Sequence, residues 1–87
     1  MIVMITLEVY ISEDCWSCAE SERIVADVID HFPNINVQFL DMNTTQQPKN
    51  VFATPTYRLN GRVISLGNPT REELYQKLLS EQQKVRA

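Results

Sequence analysis

The chain has 87 residues, 44% of them hydrophobic and 22% charged, with a formal net charge of −3. A chain of this length buries only about 60–65% of its unfolded surface, so one core and one domain over residues 1–87 are expected. Acidic residues are spread along it, and no Arg/Lys stripe with interleaved aromatics occurs, which argues against nucleic acid and anionic membrane as partners.

Residues 2–10 form a nearly continuous apolar run rich in β-branched side chains, the pattern of a strand buried on both faces. The run has no preceding Lys or Arg and contains Thr6 and Glu8, so it reads as a strand and not as a signal peptide or membrane span. A cytoplasmic location is expected on that ground. Ser12-Glu13-Asp14 breaks the run and offers capping side chains. A helix is predicted over 15–32, with Ile24, Val25, Val28, Ile29 and Phe32 at helical spacing and Pro33 as its stop.

Residues 35–40 alternate, with Ile35, Val37 and Phe39 on one face and Asn36 and Gln38 on the other, which predicts a second strand. A connector follows over 41–53, with room for one helical turn near 46–50. Residues 56–59 and 62–66 read as strands joined by Asn60-Gly61, since both turn residues tolerate positive φ. Gly67-Asn68-Pro69 ends the hairpin, and Thr70-Arg71-Glu72-Glu73 matches a capping box at the start of a last helix. That helix should bury Leu74, Tyr75, Leu78, Leu79 and Val85. The order is β-α-β-β-β-α, an α/β fold: a four-stranded mixed sheet with helices packed on it, its first two strands parallel through a right-handed crossover. Sites in such sheets form beyond the carboxyl ends of the strands, where Cys15 falls.

Cys15-Trp16-Ser17-Cys18 is the chemically loaded stretch. Two cysteines three apart at a helix start share a face, with Cα atoms roughly 5–6 Å apart, inside disulfide range. Cys15 is nearest the helix N-terminus, where free amides and the dipole favour a thiolate, the nucleophilic form. Cys18, one turn in, suits the resolving role. A purely stabilising disulfide is a weak alternative, because closing a loop of about four residues contributes roughly 2 kcal/mol at best. Two apolar filler thiols are another. Structural zinc needs four ligands, and His31 is three to four turns down the helix, so a metal site would need a dimer sharing four thiolates. No metal and no cofactor are expected; His31 reads as a helix C-terminal cation or a solvent contact.

With Ala53-Thr54-Pro55-Thr56-Tyr57 before the hairpin and Gly67 after it, the Cys pair makes the sequence resemble the thioredoxin-like superfamily over most of its length. The resemblance implies a cis Pro55 beside the thiols and a Thr54 whose backbone pairs with a bound peptide, a form of strand addition. It implies an exposed Trp16 as an apolar contact for partners; a ring folded back on the helix is the alternative. Several residues depart from the family's patterns. Trp-Ser replaces the Gly-Pro of thioredoxins, and Val9 is near the place of their buried relay acid. Glu13 and Asp14 replace the basic residue that glutaredoxins place before the first Cys, which disfavours anionic glutathione. The second helix of a full thioredoxin is largely missing between Leu40 and Pro55. The pattern is that of a minimal, glutaredoxin-sized member of neither subclass.

Glu13 and Asp14 also oppose a thiolate at Cys15, so its pKa is expected nearer that of thioredoxin than of a strong oxidant. The expected activity is thiol–disulfide exchange: Cys15 attacks a protein disulfide, Cys18 resolves it, and an unidentified reductase supplies electrons to a monomer. The alternative is a thioredoxin-fold binding module whose Cys pair is a redox sensor or a dimer-shared metal site.

Overall fold

The computed structural model describes residues 5–12, 16–41 and 54–86. The expected strand extension over 2–4, the helix start at Cys15 and the helical turn over 46–50 lie outside these residues. The elements are β1 (Ile5–Ile11), α1 (Trp16–Ile29), β2 (Ile35–Asp41), β3 (Thr56–Leu59), β4 (Arg62–Leu66) and α2 (Arg71–Arg86), in the expected order. The sheet runs β2-β1-β3-β4, parallel between β1 and β2 and antiparallel elsewhere.

Alternation along β1 sorts the sheet into two faces. Ile5, Leu7 and Val9 point to one, with their β3 partners Leu59 and Tyr57. Ile24, Val25 and Val28 of α1 and Leu74 and Leu78 of α2 complete that core, so both helices cover the same face. Each such side chain, fully buried, contributes about 1.5–3 kcal/mol. The other face carries Thr6, Glu8 and Tyr10, with Arg58 and Thr56 as the partners of the last two. β1 is thus not uniformly apolar on both sides: Thr6 and Glu8 are only half-buried, and Glu8 is satisfied by an ion pair with Arg58.

Two expectations are corrected. Helix α1 ends at Ile29 and not at Phe32. The chain tightens before Pro33: His31 N–H donates to Val28 O at 3.1 Å and Phe32 N–H to Ile29 O at 2.8 Å, three-residue spacings that follow from the bar on α conformation before proline. Phe32 still reaches the core. Phe39 lies on the core side of β2 as predicted, yet it is 39% exposed. β2 is an edge strand of the four-stranded sheet formed by the described residues.

The local signals after β3 hold. Asn60 has φ 49° and Gly61 φ 86°, the left-handed pair that the turn requires. Thr70 Oγ1 accepts from Glu73 N–H at 3.0 Å, and Glu73 Oε1 accepts from Thr70 N–H at 3.1 Å, both halves of the capping box. Those bonds hold the Glu73 carboxyl below its usual value. β4 carries a bulge that the sequence does not announce: Tyr57 pairs with Ser65 and Arg58 with Val63, leaving Ile64 as the extra residue. Lys77 Nζ donates to Ile64 O at 2.8 Å, tying the bulge to α2.

Candidate functional site

Among the described side chains of α1, the buried stripe runs from Cys18 through Ser21, Ile24, Val25 and Val28. Cys18 is 5% exposed and disulfide-bonded. Cys15 lies outside the described residues, as do Glu13, Asp14 and the side chains of Trp16 and Ser17. The placement expected for the Trp16 ring therefore goes without a structural counterpart. His31, just past α1, is exposed and meets Tyr75 of α2 edge-on at 5.6 Å between centroids.

On the β3 side, the Thr54–Pro55 peptide is cis. Pro55 is buried and Thr54 half-buried. Among the described residues, two contacts hold this corner. The hydroxyls of Thr54 and Ser12 are 3.0 Å apart, joining the corner to the residue after β1. Gly67 N–H donates to Pro55 O at 2.8 Å, with Gly67 at φ 86°, a backbone conformation for which glycine is suited.

Asn68, the next residue, ties the two halves together. Its Oδ1 accepts from Tyr57 Oη at 2.9 Å and from Ser21 Oγ at 2.5 Å. Ser21 and Tyr57 are fully buried, so these bonds satisfy hydroxyls that would otherwise be costly to desolvate. Burial pushes the Tyr57 phenol above its ordinary 10.0, the Ser21 hydrogen bond pulls it down, and Glu20 adds a smaller upward push. The 67–68 pair thus connects the helix carrying Cys18, through Ser21, to Pro55 and to β3, which follows it.

No protein-family model matches the chain. It is 28% identical over 74 residues to a thioredoxin of Methanocaldococcus jannaschii, covering 80% of this chain and 87% of that protein. Its fold matches mitochondrial thioredoxin 3 of Saccharomyces cerevisiae in the oxidized form, with a TM-score of 0.73 at 17% identity over 87% of this chain and 77% of the other. It also matches thioredoxin-2 of the malaria parasite, with a TM-score of 0.72 at 10% identity over 88% and 82%.

The fold is thioredoxin-like, and the sequence is similar to that of a thioredoxin. Within a thioredoxin-like frame, Val9 is notable, since the resemblance implies a buried acid near its place. It is fully buried and sits opposite Tyr57 in the β1–β3 ladder. The polar groups near this region are instead the Tyr57, Ser21 and Asn68 side chains. Sequence reading singled out none of Ser12, Ser21 and Asn68 as site residues. The one available signal was Ser21, a polar residue interrupting the apolar stripe of α1. The Ser12–Thr54 and Ser21–Asn68 contacts span 42 and 47 residues and have no local pattern.

Proposed function

We propose that the protein is a dithiol oxidoreductase that reduces disulfides in other proteins. The observation that carries this reading is the disulfide-bonded state of Cys18 on the buried face of α1. Cys15 directly precedes Trp16, the first residue of that helix, so the helix N-terminus favours its thiolate. The thiolate attacks a substrate disulfide, one substrate thiolate leaves, and a mixed disulfide forms. Cys18 then attacks Cys15 Sγ, the second substrate thiolate leaves, and the Cys15–Cys18 bond closes. Two electrons have passed to the substrate, and a separate reductase returns them. Trp16 and the Thr54–Pro55 corner hold the substrate chain, with Thr54 backbone groups pairing to it. The protein acts as a cytoplasmic monomer and needs no cofactor.

The test is reduction of insulin disulfides, with Cys18→Ser as a trap. Turnover by the wild type and accumulation of a mixed disulfide on the variant are expected. The buried Val9 favours a second reading, a binding module whose Cys pair senses redox state or shares a metal in a dimer. Absence of turnover, with zinc copurifying in a dimer, would establish that reading instead.

A further inference from the structure

Ser21 is one helical turn beyond Cys18 on the buried face of α1, and the stripe beyond it is Ile24, Val25 and Val28. Side chains three apart on a helix are neighbours, with Cβ atoms about 5–6 Å from each other, so Cys18 is the residue toward which a turn about the Ser21 side chain would carry its hydroxyl. In the disulfide-bonded state that hydroxyl donates to Asn68 Oδ1, which also accepts from Tyr57 Oη. The doubled acceptor makes the arrangement switchable. Tyr57 keeps Asn68 Oδ1 occupied when the Ser21 proton turns away, so no buried oxygen is stranded. The Tyr57 phenol, held protonated by burial, is a stable donor for that purpose.

We propose that Ser21 is the hydrogen-bond donor that stabilises the Cys18 thiolate, with Asn68 parking the donor while the sulfur is oxidised. This role rests on the thiol–disulfide exchange reading above. In the resolving step the Cys18 thiol gives its proton to solvent, and Ser21 O–H turns from Asn68 to Cys18 Sγ. That sulfur then attacks Cys15 Sγ. The Cys15–Cys18 bond forms, the bond from Cys15 to the substrate sulfur breaks, and the substrate thiolate leaves with the electron pair. Ser21 O–H returns to Asn68. A hydrogen bond of this kind lowers a thiol pKa and, by the same stabilisation, blunts the thiolate as a nucleophile.

Reaction of the reduced full chain with 5,5′-dithiobis(2-nitrobenzoate) separates the two steps. One thionitrobenzoate leaves when Cys15 forms the mixed disulfide, and a second leaves when Cys18 resolves it. In Ser21→Ala the first phase is unchanged. The second phase is slower at neutral pH by about 2- to 4-fold, and its pH midpoint moves up by about 0.5–1 unit. Above that midpoint the variant equals or exceeds the wild type, a crossing that a loss of packing would not produce. An unchanged second phase, or a slowing of both phases by the same factor at every pH, overturns the role. A wild type that gives no first phase overturns the exchange reading itself, and this role with it.

Discussion

Glu8 and Arg58 face each other directly across β1 and β3, and Nε and Nη2 of the guanidinium both approach Glu8 Oε1 at 2.7 Å. Tyr10, two residues on, donates to the other carboxylate oxygen at 3.4 Å, and its ring lies 5.7 Å from the guanidinium carbon. The pair is mostly buried, with side-chain exposures of 17% for Glu8 and 19% for Arg58. Removing Arg58 leaves the Glu8 carboxylate with little water and only the long Tyr10 hydrogen bond. Arg58→Met should therefore cost about 2–4 kcal/mol, the upper part of the range being reduced by the remaining exposure. Replacing both, as Glu8→Leu with Arg58→Met, should recover most of that loss. Urea unfolding of the four proteins in a double-mutant cycle measures it; additive losses would show that the two charges are not coupled.

Asn60 does more than permit the turn. Its backbone N–H donates to Thr6 O and its Oδ1 accepts from Thr6 N–H, both at 3.0 Å, which extends the ladder between β1 and β3 past Leu59. Its Nδ2 donates to Glu81 Oε2 at 3.0 Å, and Glu81 Oε1 takes Arg62 at 2.8 Å. Asn60→Gly keeps the φ of 49° accessible and deletes the side-chain bonds; Asn60→Ala deletes the same bonds and adds left-handed strain. Losses of about 1–2 kcal/mol for Gly and about 1 kcal/mol more for Ala are expected. Thermal or urea unfolding that ranks Ala level with Gly would remove the conformational part of this account.

The difference between Asn60 and Ser21 shows what a sequence makes legible here. The turn, the capping box at Thr70–Glu73 and the order of elements are local: period, turn chemistry and caps are each written within a few residues. The cis Thr54–Pro55 peptide was legible in the same way, as a short motif beside a predicted strand. Ser21 meets Asn68 only because α1 packs over β3 and the chain turns back after β4. Glu8 meets Arg58 only through the sheet order, which strand patterns do not specify. Phe39 illustrates the other limit. Its alternation identified the correct face of β2, but not that β2 stands at the edge of the sheet, where Phe39 stays 39% exposed.

Alkaline pH should destabilise the fold through its buried phenols. Burial, ahead of every other cause, raises the pKa of both Tyr10 and Tyr57 above 10.0, and the Glu8 charge pushes Tyr10 further. A folded-state pKa above the unfolded one means that the native state holds the proton more tightly. Stability is then full below pH 10 and falls as the pH rises through the folded values. Tyr57→Phe has one such proton fewer to hold, so its stability curve should decline less steeply above pH 10 than that of the wild type. Urea midpoints measured on both sides of that pH test this; parallel curves would mean that Tyr57 ionises as easily in the native state as in the unfolded one.

Ser12 is the residue through which the end of β1 reaches the cis corner, its hydroxyl 3.0 Å from that of Thr54. If Thr54 backbone groups pair with a substrate chain, as proposed, Ser12 acts on binding by fixing the orientation of that residue. A neutral, part-buried hydrogen bond contributes about 0.5–1.5 kcal/mol, so Ser12→Ala should raise KM for protein disulfide reduction by about 2- to 10-fold and leave kcat unchanged. Thr54→Val deletes the same bond from the other side. The double variant should then be no worse than either single one, since the bond can be lost only once. A fall in kcat with KM constant would place Ser12 in the chemical step instead. Fully additive effects in the double variant would mean that the two hydroxyls act independently of one another.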